Sequence, residues 1–466
     1  MKINRNDSGL VRSGLGSRLE QLSCENEEQK TMKKQNDKLR SWALLSLAMI
    51  VGAWECAAAP AVPEIPHVDV RFGHEPYGDH TQASIGIKQG WFDQVGINIV
   101  DGGKVISSEN AIPVFASGQV DVISASVPLF LGAVRQLPPF KGFFYGDMFQ
   151  GYALMAQPDK GYKSVEEFMA SGASREQAIK EAVQQMRGKR FGYPAEMAIK
   201  GFINLALQRG GLSLNDVKGV VAEDSRTAAM MISGDLDFEV GGVPAHLTLQ
   251  SKGFKPIITS FDLAASAKPS ADSEELRAVF HDGWVSSDKW IKDHYDAILR
   301  LSSVGWRINQ FIHDHEDEAM EIHIPFLNKA AGTNFDKNTF RVVYHSLDPF
   351  LTFAQQNDWF NNDSTPMNEK YVLGSHIRSY EEKGFFKPGE FKPADFSIAA
   401  KVYNEMVAHK QAAEKQIKEG QGLVGDSTPK AKELLDEANK QYGAFNFYDA
   451  DRFSKAAIEW TQFEKK

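Results

Sequence analysis

The sequence predicts an α/β protein of two lobes joined by two crossover strands, with an added C-terminal helical region. Three observations carry this expectation. Apolar strand-like segments alternate with helical ones from residue 67 onward, the alternation restarts near residue 187, and residues 400–442 are polar, Lys/Glu-rich and helical in pattern. Strands separated by helices at this spacing form βαβ units and a largely parallel sheet.

The chain has 466 residues, 42% hydrophobic and 24% charged. At about 100–200 residues per domain it can hold two or three domains. A formal net charge of -9 argues against a nucleic-acid binder, which needs clustered Lys and Arg to meet phosphates.

Residues 1–31 are polar, mixed in charge and without periodicity, as expected of a disordered or untranslated extension with Met32 as the true start. From Met32 the chain reads as a signal peptide over 32–61. Lys33, Lys34, Lys38 and Arg40 form a basic region, Trp42 to Trp54 an apolar one, and Ala57, Ala58, Ala59 and Ala61 supply small residues for cleavage. The apolar run is shorter than the roughly 20 residues of a spanning helix. A lipid anchor at Cys56 is disfavoured, because Trp54 and Glu55 stand where small residues are needed. Cys24 and Cys56 both precede the expected cut, so the mature chain has no disulfide or thiolate.

After Pro60, Pro63 and Pro66, residues 67–73 (HVDVRFG) alternate as a strand. The loop HEPYGDH (74–80) leads to a helix over Thr81–Lys88, a strand at Ile97–Val100, a Gly-Gly turn, a helix near Asn110–Ala116 and the strand VDVISAS. The second series runs through a strand in 187–194, a helix over Met197–Arg209, a strand in 219–224, a helix over Thr227–Ile232 and strands in 236–242 and 255–260. ASGQVDV (116–122) and ISGDLDF (232–238) echo each other: a helix ends at Ser-Gly and an Asp opens a strand. Glycine suits the left-handed position that stops a helix. The aromatic stretch 138–157 and the extended stretch 278–290 are the candidate crossovers. The expected organisation is lobe I over 67–145, lobe II over 146–285, a helical return to lobe I over 286–400, and a helical tail over 401–466, broken by GQGLVGDSTP (420–429).

Five phrases occur in one order: SIGIKQGWFDQVGINI (84–99), FASGQVDVISAS (115–126), MRGKRFGYPAE (186–196), LQRGGLSLNDVK (207–218) and MISGDLDFEVGGVPA (231–245). In these the chain resembles the periplasmic substrate-binding proteins of nitrate/sulfonate/taurine-type ABC transporters, a family that includes pyrimidine-precursor binders. The resemblance spans about 84–320 and implies the type 2 periplasmic-binding-protein fold, closing on a small-molecule ligand in the inter-lobe cleft. It also implies a periplasmic location, delivery to an ABC transporter permease in the inner membrane, and a monomer. A sensor that presents its solute to a membrane receptor is the alternative within binding proteins. A thiamine-pyrimidine-synthase-like enzyme is the alternative outside them, but that activity relies on a cysteine-rich segment this chain lacks. No nucleophile–base set stands out either, so no catalytic residue and no cofactor is expected.

Ligands of open parallel sheets lie beyond the carboxyl ends of the strands. This selects His74, Glu75, Tyr77, Asp79 and His80 in the first loop, then Glu109, Ser124, Ser126, Tyr145 and Asp147 in the first lobe. In the second lobe it selects Tyr193, Glu196, Met197, Arg226, Gly241 and Gly242. Carboxylates outnumber cations among them, and a small oxyanion would call for the reverse. Tyrosine walls suit an amine through cation–π contact. The expectation is therefore a neutral or cationic polar organic solute. The HEPYGDH loop holds metal-ligand residue types, but its spacing matches no familiar site and a Pro/Gly turn accounts for it, so no metal is expected. The His313-Asp314-His315 run reads as a solvated surface.

Overall fold

The structure, a computed structural model, describes residues 58–195 and 197–466. The expected extension over 1–31, nearly all of the expected signal peptide, and Glu196 lie outside the described residues. Among those described, no helix is long and apolar enough to cross a membrane.

Two five-stranded sheets form the two lobes. The first is built from β2 (Phe72–His74), β4 (Lys104–Val105), β5 (Val122–Ser124), β6 (Phe140–Phe149) and β12 (Phe280–Ser287), in the order β4-β2-β5-β12-β6. The second is built from β7 (Ala153–Ala156), β8 (Arg190–Tyr193), β9 (Lys218–Val221), β10 (Phe238–Gly241) and β11 (Lys255–Thr259), in the order β11-β7-β10-β8-β9. Parallel pairs join β2 to β4 and β5 in one lobe, and β8 to β9 and β10 in the other. The strand expected over 67–73 divides at Arg71. Its first half, β1 (Val68–Val70), pairs with β3 (Ile97–Ile99) in a separate two-stranded ribbon.

The chain leaves the first sheet after β6 and returns in β12, which pairs antiparallel with both β5 and β6. The lobe boundaries expected at 145/146 and 285/286 therefore fall inside strands, and both move: the crossings lie at 149–153 and 259–280. The Ser-Gly echo is structural. Ser117 and Ser233 cap the helices Ser108–Ala116 and Asp224–Ile232, and the glycines that follow, Gly118 and Gly234, have φ of 66° and 83°.

The first lobe packs around Trp284 of β12, fully buried with Phe144 at 4.6 Å and Phe72 at 5.3 Å between ring centroids. The helix Tyr295–Asp314 crosses this cluster at Gly305, where a Cβ would stand 2.4 Å from the Phe144 ring. Only a residue without a side chain lets helix and strand approach so closely. The tail forms three helices, Ala399–Leu423, Pro429–Gly443 and Phe447–Glu464, around a small core of Leu434, Leu435, Phe453 and neighbours. The first of these helices runs through Gly420 and Gly422, so the break starts at Val424 and not at 420. Packing of Gly420 against Leu435 outweighs the poor helix propensity of glycine.

One buried ion pair ties this tail to the first lobe. Arg300 Nε donates to Asp449 Oδ2 at 2.8 Å, both side chains being fully buried, and Arg300 also reaches Asp296 at 2.9 Å. Removing one partner of such a pair strands a buried charge at a cost of about 3–5 kcal/mol, whereas apolar replacement of both is milder. Asp449→Ala should thus lower unfolding free energy by about that amount in urea titrations. Arg300→Met combined with Asp449→Leu should cost clearly less.

Candidate functional site

The end of β2 and the loop after it place four charged or titratable side chains inside the protein. His74, Glu75, Asp79 and His80 are each at most 4% exposed. His74 ends β2, its Nδ1 3.3 Å from the His80 carbonyl, and burial drives it down to about 4, so its ring is neutral. Gly103 makes room for that ring, since a Cβ there would lie 2.4 Å from Nε2. His80 is the reverse case. Burial lowers it, but the charges of Asp282 and Asp79 and hydrogen bonds to Asp282 and Glu75 outweigh that, holding it well above its usual range. Its Nε2 lies 2.5 Å from Asp282 Oδ2 and its Nδ1 3.2 Å from Glu75 Oε2.

Around this imidazolium stand Asp79, Asp147, Asp282 and Asp348, all buried. Burial first, then the neighbouring aspartates, push Asp79 up to about 8 and Asp147 and Asp348 well above the carboxylate range. Asp147 on β6 and Asp282 on β12 are register partners, so their side chains share a face.

Tyr77 separates this interior from a cavity of about 470 Å3 between the lobes. Its ring meets His80 edge-on at 5.5 Å and its hydroxyl accepts from Ser108 Oγ at 2.8 Å. The cavity is lined by Pro76, Tyr77, Ser107 and Glu109 from the first lobe, by Glu223, Asp224, Ser225 and Pro244 from the second, and by the turn at Ala330–Thr333. None of the described residues lining it is Lys, Arg or His. Glu223 and Glu109 share a hydrogen bond across the cleft. Burial, that bond and the charges of Glu109, Asp224 and Glu75 push Glu223 up to about 7. Asp224 accepts from the Gly242 amide at 2.7 Å, and burial pushes it up to about 6 against that bond. Glu239, buried and bonded to Thr227 Oγ1 at 3.0 Å, is driven well above its ordinary value by burial and by Asp224. Gly242 lets the second lobe come close: a Cβ there would stand 2.7 Å from Tyr77 Cε1.

The structure thus brings His74, Glu75, Tyr77, Asp79, His80, Asp147, Glu109, Gly241 and Gly242 to one region. Gly241 packs against Glu239, Ala245 and Asp224. Ser124 and Ser126 are buried at the end of β5 and the start of the helix Val127–Leu131. Four residues fall elsewhere or are not placed in the region. Tyr145 faces away, its ring tilted against His281 at 5.3 Å and its hydroxyl bonded to Glu369 and Ser397. The register shift between Asp282 and Gly283 parts it from Asp147, which plain alternation would put on the same face. Tyr193 lies over Gly219 and Phe191. Arg226 is exposed. Met197 opens the helix Met197–Arg209. His313 is exposed and bonded to Asp314 at 2.9 Å. Glu223, Glu239, Asp282 and Asp348 were not anticipated as site residues. Asp282 lay in a stretch read only as a crossover, and Asp348 in a region without a recognisable phrase.

The chain matches no protein-family model and no curated protein. Solved structures do match. The ligand-binding component of an ABC-type import system from Staphylococcus aureus aligns with a TM-score of 0.50 at 11% identity, over 72% of this chain and 98% of that one. The periplasmic nitrate-binding protein NrtA from Synechocystis PCC 6803 follows at 0.48 and 13% identity, over 74% and 89%. The periplasmic aliphatic sulphonate-binding protein SsuA from Escherichia coli aligns at 0.47 and 11%, over 72% and 92%. The first of these shows a common fold, the two-lobed α/β architecture described above.

The raised carboxyls set a pH dependence. A carboxyl whose folded value exceeds its unfolded value of about 4 keeps a proton that the unfolded chain has already released. The stability it contributes is present at low pH and is lost as pH rises through the folded value. Asp224 at about 6, with Glu223 and Glu369 at about 7, spreads that loss from about pH 4 to 7. Burial acts oppositely on the histidines, lowering His74 and His376 to about 4 and His281 and His323 to about 3, so they favour folding as pH rises to about 6.5. Replacing Glu369 by Gln should therefore flatten the fall in melting temperature with pH relative to the parent in calorimetry; an unchanged profile would contradict the assignment.

Proposed function

We propose that the protein is the solute-binding component of an ABC importer and that it captures a cationic polar organic solute in the cleft between its lobes. The observation that carries the choice of solute is the cavity lining: Glu109 from one lobe, Glu223 and Asp224 from the other, and the Tyr77 face between them, with no basic side chain among the described residues. An ammonium group gains charge-assisted hydrogen bonds from the carboxylates and a π face from the tyrosine. An oxyanion gains neither. The transport role is supported by the fold shared with the Staphylococcus aureus import component and by the five ordered phrases, and it implies a periplasmic protein working with a membrane permease.

The mechanism follows from where the acids stand. Without a cation between them, Glu223 is held up to about 7 by burial and by its hydrogen bond to Glu109 across the cleft. A cation there displaces the proton on Glu223 and binds both lobes at once. Only such two-sided contacts favour the closed form over the open one, by as much as the solute's affinities for the two differ.

Calorimetric titration with a panel of amines, amino acids, nitrate and taurine tests the reading. Amine affinity should rise from pH 5 to pH 8 as Asp224 and Glu223 ionise. Asp224→Asn should weaken amine binding by about 10–100-fold, the worth of one charged hydrogen bond of about 1.5–3 kcal/mol. Tight binding of nitrate or taurine with no binding of amines would overturn it.

A further inference from the structure

The cavity leaves the aspartate cluster behind Tyr77 unused. Asp147 and Asp348 are fully buried, and neither oxygen of either carboxylate has a hydrogen-bond partner among the described residues. Asp79 Oδ1 is in the same state. Gln82, 1% exposed, has both ends of its amide unpartnered and lies against Gly146, the residue before Asp147. Buried polar groups are normally satisfied, and a group of this size left open marks a missing partner.

Protons alone do not complete the cluster. A proton turns one carboxyl oxygen into a donor, but the remaining oxygens of Asp147 and Asp348 still receive no hydrogen bond from any donor among the described residues. Among the described residues, His80 is the cation that acts most on these two carboxyls, and its Nε2 is already taken by Asp282 at 2.5 Å. One oxygen each from Asp79, Asp147 and Asp348 lie within 4.8 Å of one another, and a second trio, Asp79, His80 and Asp282, shares Asp79. A cation with bonds of about 2.1–2.5 Å sets opposite ligands about 4–5 Å apart, so the trio already stands near the required spacing.

We propose that Asp79, Asp147 and Asp348 hold one divalent cation at the base of the first lobe, with the His80–Asp282 pair closing its flank. Three carboxylates select a hard, oxygen-seeking ion, and a dry site disfavours Mg2+, which keeps its waters; Ca2+ or Mn2+ fits best. The site is separate from the solute cavity and stands whether or not the cavity takes an amine. It adds a ligand that the sequence did not lead one to expect, because Asp147 and Asp348 meet the HEPYGDH loop only in the fold.

The test uses the purified chain stripped with EDTA and titrated with CaCl2 and MnCl2, with bound metal counted by elemental analysis. One equivalent of Ca2+ or Mn2+ should bind and raise the melting temperature. Asp147→Asn with Asp348→Asn should weaken binding by about 100-fold or more, beyond what loss of a supporting group costs. Because these changes replace carboxyls that have no hydrogen-bond partner in the protein, the stripped variant should melt no lower than the stripped parent. Anomalous diffraction from Mn2+-soaked crystals of the unaltered protein gives a reading independent of the variant, with the peak expected between the three aspartates. No stoichiometric uptake, uptake unchanged in the variant, or a peak elsewhere would each overturn the proposal. Amine titration of the stripped protein reads the cavity separately.

Discussion

The antiparallel ladder between β6 and β12 runs from Phe280 opposite Phe149 to Ser287 opposite Phe140, and it carries the chain out of the first sheet and back. Both strands are buried along nearly their whole length. Every polar side chain they bear must therefore find a partner inside the protein, since water is out of reach. On one face this is easily met, as phenylalanines surround Trp284. On the other, Asp147 and Asp282 stand directly opposite, two buried carboxyls whose simultaneous ionisation would disfavour the pairing unless positive charge compensates. The loop 74–80 answers that demand with His80, drawn in to Asp282, and brings Asp79 and Glu75 along with it. The polar interior of the first lobe is thus a consequence of how the chain crosses between lobes.

The rest of the first lobe is arranged around the same ladder. Asn309 on the helix Tyr295–Asp314 donates to the carbonyls of Gly146 and Leu351, and Gln356 donates to the carbonyl of Tyr145. These amide side chains take up the backbone groups left open where β6 is irregular, and they lay the segment carrying Asp348 along its edge. His323 secures the other side, joining Thr81 and Tyr344 at 2.8 Å each. The segments carrying Asn309, His323 and Gln356 are therefore packed onto the first sheet, and the last three helices are tied to the helix Tyr295–Asp314 by Arg300 and Asp449.

What the sequence disclosed and what it concealed divide along physical lines. Alternation of strand and helix is local, written in period and in glycine stops, and so most strands of the two sheets were legible, while β4 and the helices Val127–Leu131, Val165–Ala170 and Arg175–Gln184 were not. The loop 74–80 was legible as a cluster of polar residues because they are neighbours in the chain, but their burial was not. Convergence of Asp79, Asp147, Asp282 and Asp348 was not, since it depends on strand register and on a single shifted position in β6. The same shift turned Tyr145 away, against an expectation that rested on regular alternation. Glu223 illustrates a third case: its importance comes from a partner, Glu109, that meets it only when two lobes close.

Tyr77 links these two levels. Its hydroxyl is held by Ser108, its ring rests on His80, and Gly242 of the second lobe approaches its edge so closely that no side chain fits between. The second lobe thus bears on the residue whose loop also supplies Asp79 and His80. A cation in the cavity and a cation in the interior, as proposed, would act on one loop from opposite sides, through a single aromatic ring. An ion among Asp79, Asp147 and Asp348 would fix the loop against the crossover strands, and an ammonium group in the cavity would join Glu109 to Glu223 and Asp224. Closure on such a solute would be favoured most where the loop is already fixed, because ordering it would no longer have to be drawn from the energy of binding.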